Sequence, residues 1–252
     1  MLINDKVSIY NILMYKKVKG DEMLGNIVNT LAIIFGSLIG MLFRGKIPDR
    51  FNQSIMKSVA LGVLLIGILN ALEVENMILV LISMSLGTLI GEWIHIENKL
   101  ENLGKFLQKK SLKSEGSITK SFVTASLLFC VGSMAIIGSL ESGLSGSHQT
   151  LFAKSILDGI SSIIFTSSIG VGVIFAAVPV FLYQGIIVLA ASYLKPFLIT
   201  TVIANMTAVG GLLIIGLGLN MLGFKKISVG NMLPAIFIPL IYHMIMQVIQ
   251  LI

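Results

Sequence analysis

GISSIIFTSSIGVGVIFAAVPVFLYQGIIVLAASYL, residues 159–194, runs for 36 positions without a charged side chain. About 20 apolar residues carry a helix across the ~30 Å hydrocarbon core, where a chain must satisfy its own backbone hydrogen bonds because water is absent. The stretch is too long for one crossing and predicts two spans or a broken pair. Outward from it, residues 196–224 and 227–252 repeat the pattern, interrupted only by His243. The sequence therefore predicts an all-α, polytopic transmembrane bundle.

Composition agrees. The chain is 55% hydrophobic and 12% charged, with 25 glycines and 13 methionines, whereas a soluble domain carries about twice that charge. Cys130 is the single cysteine and lies in an apolar run, so no disulfide framework or CxxC site forms within one chain. The net charge of +6 reflects lysines in loops and is read as membrane topology, not nucleic-acid binding.

Residues 1–22 hold Lys6, Lys16, Lys17 and Lys19 and no small-residue cleavage site, so they do not form a secretory signal. They are expected to be an over-extended start, with Met23 the true initiator and 23–252 a single integral membrane domain.

Apolar runs between charges predict eight spans, near 24–43, 56–72, 76–94, 121–140, 156–178, 180–194, 198–222 and 230–251. Alternate loops then gather twelve basic residues on one side: Arg44, Lys46, Arg50 and Lys57, then Lys99, Lys105, Lys109, Lys110, Lys113 and Lys120, then Lys225 and Lys226. The other side holds Lys154 and Lys195. Basic loops resist translocation, so the expectation is a bacterial plasma-membrane protein with both termini extracytoplasmic. A seven-span alternative would put Lys225 and Lys226 outside. The loop 95–120 places Leu100, Leu103, Phe106 and Leu107 at helical spacing among charges and reads as an amphipathic helix on the inner leaflet.

Gly62-Val63-Leu64-Leu65-Ile66-Gly67-Ile68-Leu69-Asn70 in span two resembles Gly211-Leu212-Leu213-Ile214-Ile215-Gly216-Leu217-Gly218-Leu219-Asn220 in span seven. The two helices run in opposite senses, which suggests an inverted repeat of spans one to three against six to eight, a construction of secondary transporters. Chance similarity of glycine-leucine runs is the alternative.

The polar residues most like a site lie in spans four and five. Asp158, Ser162 and Thr166 fall at i, i+4 and i+8, so one helix face presents a carboxylate followed by hydroxyls. Such hard oxygens suit an alkali cation, a proton path or a polar organic solute. Ser155 lies beside them, and Lys154 stands as an outer-mouth charge four residues before Asp158. The bland alternative is an exposed ion pair at the outer interface, worth a few tenths of a kcal/mol, ~0.3. Span four carries Gly132-Ser133 and Gly138-Ser139, where a helix readily bends, followed by a loop at 141–150. Gln184 follows Pro179 in the uncharged stretch, and a buried glutamine needs partners. Asn26, beside Asn29 and Thr30, and Asn231, ahead of Pro234 and Pro239, suit helix entries.

Met23-Leu24-Gly25-Asn26, Gly132-Ser133-Met134-Ala135-Ile136-Ile137-Gly138-Ser139, Lys154-Ser155-Ile156-Leu157-Asp158-Gly159, Pro179 with Tyr183-Gln184-Gly185, and Gly230-Asn231-Met232-Leu233-Pro234-Ala235 together resemble the YdfK/YqgA family of bacterial membrane proteins. The resemblance implies a multi-pass membrane fold and, as a suggested activity, a sodium channel or pump; it assigns no ligand residues.

No Walker A loop, HExxH or GxSxG occurs in the sequence, so ATP-driven pumping and common hydrolytic chemistry lack support. The expected function is transport or conduction of a small cation, sodium foremost, or of an ion-coupled polar solute, without enzymatic activity. A sodium ion is the one bound species expected. The expected partners are the bilayer, the ion or solute and a second copy of the chain. The alternatives are an enzyme or carrier acting on lipid headgroups through Lys154 and Asp158, and a membrane partner whose basic loop contacts a cytosolic protein.

Overall fold

The computed structural model describes residues 22–44, 49–110, 118–130, 132–224 and 226–250. The predicted leader, apart from Glu22, lies outside them. Every regular element among the described residues is helical: α1 (Leu24–Phe43), α2 (Asp49–Ala71), α3 (Met77–Ile94), α4 (Ile96–Lys110), α5 (Ile118–Cys130), α6 (Ser133–Ser145), α7 (Gln149–Ser168), α8 (Ala177–Leu194), α9 (Thr200–Leu222) and α10 (Ile238–Gln250). Two 3-10 segments, Val171–Ala176 and Val229–Phe237, lead into α8 and α10.

Six of these units are long and apolar enough to cross a membrane, and α5 with α6, bent by 59°, makes a seventh if counted as one broken span. The 20-residue α7 has the length to cross, but Lys154, Asp158 and its hydroxyls make it less apolar. With it the bundle is compatible with eight crossings. Large apolar side chains cover the perimeter, among them Leu61, Leu65 and Leu69 on α2 and Leu189 on α8. Such a surface suits lipid and not water. The centre is α9, 72% buried against 17% for the apolar part of α2.

Small residues set the helix pairing. Gly25 of α1 lies against Leu151 of α7, Gly36 against Gly159 and Ser162, and Gly40 against Ile163 and Thr166. Both helices advance together, so they run parallel. A Cβ on Gly40 would stand 2.5 Å from the Ile163 carbonyl oxygen, so a larger residue would force this seam apart. On α2 and α9 the contact order is reversed: a Cβ on Gly67 would meet the Gly211 oxygen at 2.9 Å, and one on Gly218 would meet Leu64 Cγ at 2.7 Å. The two similar stretches in the sequence thus cross each other antiparallel. Gly87 and Gly91 of α3 likewise meet Ala235 and Asn231 in antiparallel order.

The breaks differ from those expected. Spans five and six divide at Gly170 (φ +137°) and not at 178–180, because that glycine reverses the chain where no charge marks a boundary. Pro179 instead falls in the first turn of α8, where its missing N–H costs least. Span four stops at Cys130 and restarts at Ser133 around Gly132 (φ +135°). Predicted loop 141–150 is mostly helix, since α6 runs to Ser145 and α7 starts at Gln149.

The basic loops converge. A Cβ on Gly170 would lie 3.8 Å from Arg44 Nη2 and 3.1 Å from Ser121 Oγ, which brings together the ends of α1 and α7 and the start of α5. Thr119 and Lys120 line one cavity with Glu97 and Lys226, which adds the α3–α4 joint and the α9 exit to the same end.

Candidate functional site

Helix periodicity puts Lys154, Asp158, Ser162 and Thr166 on one face of α7, and all four are buried. Because α7 begins at Gln149, Asp158 sits nine residues in, about 13 Å along a helix of about 30 Å. It is therefore near the middle of the helix and not within one turn of its end.

The Asp158 carboxylate is the hub. Its Oδ2 ion-pairs with Lys154 Nζ, and the two side chains are 10% and 8% exposed. The same oxygen accepts a hydrogen bond from Asn29 Nδ2 of α1 at 3.0 Å. Asn29 Nδ2 also lies 3.3 Å from Gln184 Oε1 of α8, to which it donates. One amide thus ties three helices to one carboxylate. Behind the ammonium, the Phe129 ring of α5 is centred 6.0 Å from Lys154 Nζ and stacks on Phe165 at 6.1 Å. A charge in this setting carries a large desolvation cost that a close counter-ion offsets in part, and an aromatic face adds a smaller attraction. The exposed ion pair considered from sequence is thus a buried one.

On the helices that form the hub, several buried polar atoms have no hydrogen-bond partner among the described residues: Asn26 Oδ1, Asn29 Oδ1, Gln184 Nε2, Ser162 Oγ and Thr166 Oγ1; Ser139 Oγ of α6 is likewise unpartnered there. Native interiors leave few such groups, and seven of the eleven among the described residues lie on α1, α7 and α8, with Ser83, Ser126, Ser139 and Thr207 on other helices. Asn26 reaches α8 through Nδ2, which donates to the Phe181 carbonyl at 2.9 Å.

Other candidates fall elsewhere. Ser155 Oγ donates to the Leu151 carbonyl of its own helix at 2.7 Å, a backbone-satisfied serine. Ser133 opens α6, and its side chain lies outside the described set. Asn231 does not join Asp158: its Nδ2 donates to Glu92 Oε2 at 2.7 Å and its Oδ1 accepts from the Glu97 amide at 2.7 Å. It belongs to a second polar locus, at the end where the basic loops meet. There Glu97 Oε2 accepts from the Gly230 amide at 2.7 Å, and Lys226 pairs with Glu101 at 2.7 Å and Glu97 at 3.6 Å. The Lys226 hydrogen bond holds Glu101 below the usual carboxylate range, and the same bond raises Lys226. The cavity beside them, ≈ 550 Å³, is lined by these charges together with Leu127 and Leu217.

Sequence reasoning missed Asn29 as the connector. Its one signal was a second asparagine one turn after Asn26. No cluster of three or more metal-ligating acid, histidine or cysteine side chains occurs among the described residues.

A helical bundle with a lipid-type perimeter and a charged pair sealed inside is a polytopic membrane protein. The family model described as "Protein of unknown function (DUF554)" matches residues 24–244, and the chain belongs to that family. It is 37% identical over 225 residues to "Uncharacterized membrane protein YdfK" of Bacillus subtilis (strain 168), covering 86% of this chain and 94% of that one. It is 31% identical over 223 residues to "Uncharacterized protein YqgA" of Escherichia coli (strain K12), again covering 86% and 94%. No solved structure matches the chain.

Proposed function

We propose that this protein carries a small cation, sodium foremost, across the bacterial plasma membrane, alone or coupled to a polar solute, with Asp158 as the carboxylate that receives it. The observation that carries this reading is Asp158 itself. An ionisable group held at mid-helix, with unsatisfied amide and hydroxyl oxygens on the same seam, is costly, and cost of this kind marks an ion pathway. Asn29 Oδ1, Ser162 Oγ and Thr166 Oγ1 supply hard oxygen atoms of the type an alkali ion prefers. The headgroup alternative loses support, because Lys154 and Asp158 are turned into the bundle and not toward lipid. In this reading the end that gathers the basic loops faces the cytoplasm.

The test is sodium uptake into proteoliposomes. Wild type is compared with Asp158→Asn and with the charge-balanced double variant Lys154→Gln/Asp158→Asn. Wild-type uptake above empty vesicles, lost in both variants while each stays monodisperse, is the expected result. Uptake that persists in the double variant would remove Asp158 from the route. A carboxy-terminal reporter active only outside the cytoplasm checks the orientation.

A further inference from the structure

We infer that the cavity between α4, α5 and the exit of α9 seats one anionic phospholipid, with its phosphate at a basic rim and the upper part of an acyl chain on an apolar floor. This site is separate from Asp158 and stands or falls without the cation reading.

The walls are fixed by their own hydrogen bonds. Asn220 near the end of α9 donates to the Ile227 carbonyl and accepts from the Ile227 amide, both at 2.8 Å. Glu97 of α4 accepts from the Gly230 amide at 2.7 Å and lies 3.6 Å from Lys226, whose ammonium donates to Glu101 at 2.7 Å. These groups hold one another, and the space beside them, ≈ 550 Å³, is of the size of preformed ligand sites, about 300–1,000 Å³.

The rest of the lining defines the ligand. The floor is apolar, made by Val123 and Leu127 of α5 with Leu217 and Met221 of α9; Leu127 and Leu217 are buried. The rim is basic. Lys105, 3.8 Å from Glu101, and Lys120 are exposed, and with Lys226 they leave the lining one positive charge in excess of its two glutamates. A soluble phosphate would answer the rim and leave the floor bare, whereas a neutral hydrocarbon would do the reverse. A phosphate joined to an acyl chain answers both.

The setting favours a membrane lipid over a soluble amphiphile. The cavity lies at the end where the basic loops converge, and Phe224 on its wall is 65% exposed, as Trp93 at the close of α3 is 84% exposed. Aromatic side chains displayed at helix ends belong to the membrane–water interface, the depth at which lipid phosphates lie. Basic pockets between spanning helices suit anionic headgroups there.

The experiment uses the full chain in phosphatidylcholine vesicles. Trp93 is the one tryptophan of the sequence, so Trp93→Phe with Phe224→Trp leaves a single fluorescent reporter on the cavity wall. Dibrominated phosphatidylglycerol or dibrominated phosphatidylcholine is added at equal low mole fraction, and quenching is read. The anionic lipid is expected to quench at a mole fraction at least about fivefold lower, the factor that one lysine near the surface supplies. Lys105→Gln/Lys120→Gln should remove that preference, and so should Val123→Phe, which fills the floor and leaves every lysine in place. Lys57→Gln/Lys99→Gln, an exposed pair away from the cavity, should preserve it. Equal quenching by the two lipids overturns the site. A preference that survives Val123→Phe, or that falls equally in Lys57→Gln/Lys99→Gln, also overturns it, because the basic surface as a whole is then responsible. Relief of quenching by soluble glycerol phosphate would make this a site for free phosphate and overturn the lipid occupant. If Val123→Phe does not fold, the two lysine pairs decide.

Discussion

Replacing Asp158 by asparagine strands a lysine. With side chains only 8% and 10% exposed, water cannot screen the remaining ammonium, so the cost is that of breaking a buried pair, about 3–5 kcal/mol. For a chain of this size each kcal/mol moves the melting temperature by about 2–4 °C, so Asp158→Asn should melt roughly 6–20 °C below wild type. Removing the second charge as well, in Lys154→Gln/Asp158→Asn, should recover most of that loss, because two neutral groups need no counter-ion. The single cysteine gives a direct assay: Cys130 packs on the core, and a thiol-reactive fluorophore reports its exposure as detergent-solubilised protein is heated. Asp158→Asn melting with wild type, or the double variant melting no higher than the single, would refute the claim that the pair is buried and mutually dependent.

The glycine seam gives a paired control in the same assay: Gly36→Ala places a methyl against the Gly159 carbonyl and should cost about 1–3 kcal/mol, whereas Gly62→Ala meets nothing within 4 Å and should be neutral or slightly stabilising. At the basic end, Glu101 is held low by Lys226, so its contribution is present above the unfolded carboxylate value, ~4.3, and is lost as pH falls through the lower folded value. Lys226 is raised, so its share is complete below the unfolded lysine value, ~10.4, and is lost as pH rises through the folded one. With Lys226 64% exposed, screening limits the pair to less than about 1 kcal/mol. The melting difference between wild type and Glu101→Gln should therefore be small at pH 7 and shrink as pH falls below the unfolded carboxylate value, ~4.3.

Charge made the fold legible. Spans one, three and seven are flanked by charged loops, and their helices lie within two residues of the expected limits. By contrast, α2 begins at Asp49, ahead of the expected 56, because the charged run with Arg50 and Lys57 is itself helical. Residues 159–194 carry no such marker, so the turn at Gly170 was indistinguishable from the neighbouring glycines; only its backbone angle separates it. The i, i+4 spacing of Lys154 and Asp158 was readable because both lie on one helix. Their burial was not, since it depends on α1 and α8, whose Asn29 and Gln184 lie 129 and 26 residues from Asp158 in the sequence. Asn231 looked equivalent to Asn26 by its glycine neighbour. Tertiary packing sends it to Glu92 and Glu97 instead.

The parallel seam of α1 and α7 also narrows the bundle to closely packed backbone. From Gly159 to Thr166 the backbones press together around Gly36 and Gly40, about 10 Å of peptide at 1.5 Å per residue. A membrane potential falls most steeply through such dry, weakly polarisable material, and a full 100 mV is worth about 2.3 kcal/mol per elementary charge. On the proposed reading, a cation received at Asp158 would stand at one end of that close-packed stretch, and parting two glycine-faced helices by a few ångströms would change the share of the potential it feels without the cation itself having to travel.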